Sequence, residues 1–69
     1  MIEYIIIYDV PRDKKSMQVK INRKLKAIGA EMIQYSTWES KDLKGLKEVA
    51  KLVKQVDGDA IILEKKVVF

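Results

Sequence analysis

The sequence contains no cysteine and no histidine. Their absence excludes disulfide staples, thiolate or imidazole metal sites, imidazole bases and thiol nucleophiles. Proline occurs once and glycine three times in 69 residues, and no linker, repeat or low-complexity tract interrupts the chain, so residues 1–69 read as one domain. No apolar run approaches the roughly 20 residues needed to span a bilayer. The N-terminus also lacks a basic segment followed by a signal-type apolar core. The expectation is a soluble cytoplasmic protein without a membrane partner.

Hydrophobic residues make up 48% of the chain and charged residues 35%. A domain of this length has little interior per residue and commonly needs a disulfide, a metal or a partner chain. With disulfides excluded, oligomerisation is the remaining support. Fourteen Lys and Arg against ten Asp and Glu give a formal net charge of +4. That balance admits a polyanionic partner, but it also suits plain solubility.

The stretch "IEYIIIY", Ile2 to Tyr8, is β-branched and aromatic, too short for a stable helix, and closed by Asp9, Val10 and Pro11. It reads as the first strand. Period two puts Ile2, Tyr4, Ile6 and Tyr8 on one side and Glu3, Ile5, Ile7 and Asp9 on the other, so both sides are largely apolar. Asp13 is a candidate cap for a helix with Met17, Ile21, Leu25 and Ile28 on its buried side, and Gly29 would end it as a left-handed cap. "EMIQYSTWE", residues 31 to 39, reads as one strand or as two short strands bent near Ser36. Ser40 or Asp42 would cap a second helix running to about Val56. Its apolar stripe is Leu43, Leu46, Val49, Ala50 and Val53, its opposite side is Lys44, Lys47, Lys51 and Lys54, and Gly45 weakens its first turn. "DGD", residues 57 to 59, is a turn, and Ala60 to Glu64 is expected to be a buried final strand.

The economical packing of this order is an α+β, ferredoxin-like βαββαβ sandwich with both helices on one face of a small antiparallel sheet. Two helices cover only one face, whereas the first strand is apolar on both. Dimerisation about a two-fold axis would cover the second face. Long lysine stems and scattered aromatics offer another way of shielding it.

Few groups are left to carry chemistry: carboxylates, Lys, Tyr, Ser, or a metal held by oxygen ligands. Asp9 is the best placed, at the carboxyl end of the first strand. From residue type alone, an Asp before a Pro-containing turn is usually a turn residue. A two-fold axis near the strand end would instead pair Asp9 with its copy. Around it lie Arg12, Lys14 and Lys15, then Lys20, Arg23 and Lys24, cations that would attract a phosphate backbone. The lysine stripe of the second helix reads more simply as a solvated face, and Trp38 as core or interface. Ser36 has no histidine to activate it.

Three stretches together, "YIIIYDVPRDKK" (4–15), "IQYSTWE" (33–39) and "VDGDAIILE" (56–64), resemble the CRISPR-associated Cas two family. Its strand-end Tyr-Asp-Val is matched by Tyr8, Asp9 and Val10. Its Gln-x-Ser-x-aromatic-Glu element is matched by Gln34, Ser36, Trp38 and Glu39. The resemblance implies a ferredoxin-like homodimer in which the two Asp9 carboxylates face each other and hold Mg2+ or Mn2+, with Arg12, Lys14, Lys15 and Arg23 binding nucleic acid. It further implies a metal-dependent endonuclease acting on RNA or double-stranded DNA, or a non-catalytic DNA-bridging subunit that docks a Cas one integrase during spacer acquisition. A toxin-like ribonuclease related to virulence-associated protein D shares the small fold and a similar strand-end aspartate. The family commonly carries a longer C-terminal extension that joins the partner's sheet, for which only "KKVVF" is available here.

Overall fold

The chain runs β1 (Tyr4–Asp9), α1 (Lys15–Ala27), β2 (Glu31–Gln34), β3 (Thr37–Ser40), α2 (Leu43–Gln55) and β4 (Asp59–Glu64). In the computed structural model, which describes residues 2–68, the strands form a four-stranded sheet in the order β2-β3-β1-β4. Every adjacent pair is antiparallel. This is the ferredoxin-like arrangement, with β1 and β3 central.

Alternation along β1 decides which side faces the helices. Ile6 is fully buried and pairs with Trp38 of β3, itself only 4% exposed. Ile21 and Leu25 of α1 and Leu46, Val49 and Val53 of α2 close the same core. Burying each such side chain is worth about 1.5–3 kcal/mol, and these few residues supply most of the interior. On the other side of the sheet, the pairs Ile5 with Leu63 and Ile7 with Ile61 lie side by side across β1 and β4. Among the described residues no element covers them.

Both helices end in the same hydrogen-bonded motif, in which a left-handed residue follows the cap and two amides return to the last turn. After α1 that residue is Gly29, with φ +75, and Ala30 N–H donates to the Leu25 carbonyl. After α2 it is Asp57, with φ +60, and Gly58 N–H donates to Val53.

Several local expectations change. Asp13 does not cap α1: Lys14 holds the N-cap position without a side-chain bond. Asp42 caps α2 by accepting from Gly45 N–H at 2.9 Å, while the Ser40 hydroxyl accepts from Asp42 N–H at 3.0 Å. Gly45 does not weaken that turn without return, because a Cβ there would lie 2.8 Å from Ile28 Cγ2; the glycine lets α1 and α2 approach. Residues 31–39 form two strands, with a shift of register between Met32 and Gln34. The last strand is not buried. As the sheet edge beyond β1, β4 half-buries Ala60 and Ile62 and exposes Ile61 and Leu63. Residues 65–68 of "KKVVF" form no strand, with Val67 and Val68 exposed, and Phe69 lies outside the described residues.

Candidate functional site at the end of strand β1

Asp9 is the last residue of β1 and is exposed, on the same side of the sheet as Ile5 and Ile7. Across the ladder it pairs with Asp59. Like charges directly opposite each other on antiparallel strands are unfavourable, so this end of the sheet holds two carboxylates where folding alone would favour none. Gly58 fixes the approach: a Cβ there would collide with the Asp9 carbonyl oxygen and lie 2.7 Å from Val53 Cγ1.

Beside Asp9 a cavity of about 280 Å³ opens between the end of β1, the first half of α1 and the β2–β3 turn. Tyr8, Asp9, Arg12, Gln18, Asn22 and Tyr35 contribute to its lining. Arg12 thus lines the same cavity as Asp9. Lys14, Lys15 and Arg23 are exposed but do not line the cavity; they extend the basic surface around it. Lys14 and Lys15 open α1, whose first turn has no acidic residue. Cations at a helix N-terminus oppose its dipole, so their position favours an anion there rather than the helix itself. Of the further cations on α1, Lys24 is engaged elsewhere, 2.9 Å from Glu48, and its hydrogen bond holds the Glu48 carboxyl below its usual value.

The β2–β3 turn is pinned to β1. Tyr8 N–H donates to the Ser36 carbonyl at 3.1 Å, and Ser36 adopts φ +61, a left-handed conformation unfavourable for a residue with a Cβ. This brings Tyr35 near Tyr8, where it adds slightly to the upward push on the Tyr8 phenol. Burial is the larger influence on Tyr8 and pushes its phenol up, against a smaller downward pull from the Trp38 indole N–H. That N–H is buried and makes no full hydrogen bond among the described residues.

Sequence reasoning reached Asp9 and Arg12, but not Gln18, Asn22 or Asp59. Gln18 and Asn22 are four apart on α1 and so share a face, a signal that was available; the pairing of Asp59 depends on β-register.

No protein-family model and no curated protein matches the chain. Among solved structures, the crystal structure of a hypothetical protein from Thermus thermophilus is similar, with a TM-score of 0.58 and 22% identity over 99% of this chain and 83% of that one. The similarity supports the ferredoxin-like fold. Among the described residues no helix is long and apolar enough to cross a membrane.

Proposed function

We propose that the chain is a nucleic-acid-binding homodimer of the Cas two kind, in which Asp9 of each protomer holds a magnesium or manganese ion and phosphodiester bonds are hydrolysed. One observation carries this reading: Asp9 ends the strand whose Ile5 and Ile7 line the uncovered apolar face. A second copy seated on that face, about an axis near the strand ends, brings its own Asp9 to the first.

Among the described residues of one chain, no group of three or more acidic side chains is gathered to hold a metal. Magnesium commonly takes one or two carboxylates and completes its shell with water and phosphate oxygens. Paired Asp9 carboxylates, hard oxygen donors at an exposed strand end, fit that demand. The ion would supply an activated water and neutralise charge on the phosphate. Arg12 binds the phosphate next to Asp9, and Lys14, Lys15 and Arg23 hold the flanking backbone.

The test is cleavage of labelled RNA and duplex DNA with magnesium or manganese. Asp9→Ala is expected to remove cleavage while leaving binding and the melting curve in place, and chelation should do the same to the wild type. Cleavage by Asp9→Ala at the wild-type rate would reject the assignment.

The exposed cations outside the cavity favour a second reading, a non-catalytic subunit that bridges duplex DNA and docks a Cas one integrase in spacer acquisition. It predicts steeply salt-dependent duplex binding, unaffected by Asp9→Ala, without hydrolysis under any metal.

A further inference from the structure

Resting on the nucleic-acid reading above, we propose that the cavity beside Asp9 accepts one unpaired nucleotide of a single strand, its base stacked on Tyr35 and its edge read by Asn22 and Gln18. Tyr35 is 82% exposed although it sits in a two-residue turn held to β1. An aromatic ring carried by a held turn at the rim of a cavity, and left this exposed among the described residues, is a stacking platform, and every base offers it a face.

The remaining lining suits the rest of a nucleotide. Each carboxamide of Gln18 and Asn22 presents a donor and an acceptor, which is what the edge of an unpaired base requires. Arg12 supplies a planar guanidinium for the phosphate. A volume of about 280 Å³ falls just below the roughly 300–1,000 Å³ of small-molecule pockets, enough for one base with its sugar. A stacked base pair does not fit. Lys14, Lys15 and Arg23 lie outside the cavity, where they would meet the phosphates of neighbouring nucleotides, so the occupant is part of a strand rather than a free nucleotide.

The placement also keeps this site clear of the proposed dimer face. Tyr35 joins β2 to β3 at the edge of the sheet opposite β4. Gln18 and Asn22 belong to α1, on the helix-covered side. The exposed isoleucines of β1 and β4 look the other way. Asp9, at the strand end, is within reach of both, so a nucleotide held here leaves its phosphate beside the carboxylate.

The experiment measures anisotropy of the full chain with labelled oligonucleotides of one sequence, single-stranded and duplex, under chelation so that nothing is cut. Tyr35→Ala is expected to weaken single-strand binding about tenfold, the loss of one stacked base, with duplex binding unchanged. Tyr35→Phe should keep wild-type binding, and Asn22→Ala should weaken single-strand binding without touching the duplex. Equal losses for both nucleic acids, or no loss from Tyr35→Ala, would overturn the assignment while leaving the nucleic-acid reading intact. Competition by a nucleoside monophosphate as strong as by the strand would overturn the strand as occupant. Absence of binding to either form would sink both readings together.

Discussion

Ile6 and Ile7 are identical in chemistry and adjacent in β1, yet Ile6 is wholly buried and Ile7 is 42% exposed. The contrast extends across the sheet. On the inner side Ile6 and Trp38 meet two amphipathic helices; on the outer side Ile7, Ile61 and Leu63 meet only their strand neighbours among the described residues and stay about half exposed. An antiparallel sheet with one wet face normally alternates apolar and polar residues. On this one the outward residues of β3, Glu39 and Thr37, are polar beside Ile5 and Ile7, Glu3, Glu39 and Lys65 form an ion-paired cluster, and Asp9 faces Asp59. Across β1 and β4, however, the outward Ile5, Ile7, Ile61 and Leu63 form a continuous apolar patch. The difference teaches that the chain's own helices cover one apolar set of the sheet and leave the other open, the patch on which the proposed partner would sit.

The sharpest way to break the contrast is to truncate each neighbour in turn. Ile6→Ala should cost about 2–5 kcal/mol, the cavity and transfer cost of a buried aliphatic. Ile7→Ala, measured at a protein concentration low enough for monomers, should cost under about 0.5 kcal/mol. Urea unfolding reads both. Equal costs would mean that the outer face is already covered in the monomer.

The next largest effect concerns assembly. Ile7→Lys combined with Ile61→Lys puts two charges into the outer patch without touching the core. Sedimentation should then report monomers where the wild type is dimeric, and the wild type's dependence of Tm on protein concentration should disappear. If the wild type is monomeric throughout, the partner is not a second copy, and the paired-Asp9 site goes with it.

Gly58→Ala tests how the Asp9 end of the sheet is held. The added Cβ meets the Asp9 carbonyl oxygen and Val53, backbone and core, so neither yields cheaply. The expected loss is about 1–3 kcal/mol, as for other overpacked sites, read by thermal melting. It should move Asp9 and reduce any metal-dependent cleavage more than Ile7→Ala does.

Much of this contrast was legible before the fold was known, because period-two and period-four patterns are local. Alternation separated Ile6 from Ile7, the helical stripe found Leu46, Val49 and Val53, and Gly29 marked the end of α1. Competition between local partners was harder to read. Asp13 looks like a cap, yet the chain enters α1 through Lys14 with the Lys14 amide bonded to the Pro11 carbonyl. β4 reads as a buried strand because Ile61, Ile62 and Leu63 are all apolar, and only its position at the sheet edge shows that one side is uncovered. The pairing of Asp9 with Asp59 depends on register, which Gly58 sets through a backbone approach that no residue pattern announces. Gln18 and Asn22 are polar residues on an amphipathic helix, where a binding edge and a solvated face have the same composition.

The smallest predicted effect probes the two faces through pH. On the outer side, Lys65 donates to Glu39 at 2.6 Å and to Glu3 at 3.2 Å. The bond to Glu39 is the larger cause of a lysine held above its usual 10.5. On the inner side, burial holds the Tyr8 phenol above its usual 10.0. Both groups are more readily protonated folded than unfolded, so both contribute stability that is fully present below those ordinary values and is lost as pH rises through the raised ones. Thermal melts should therefore stay flat through neutral pH and fall above about pH 10. Tyr8→Phe should make the alkaline fall shallower by removing the inner contribution, and Lys65→Met should do so by removing the outer one. Because the Lys65 ion pairs are part-buried but still reached by solvent, they are open to screening, and salt should weaken the outer contribution and leave the inner one unchanged. An alkaline limb that is equally salt-sensitive in wild type and Lys65→Met would contradict that division between the faces.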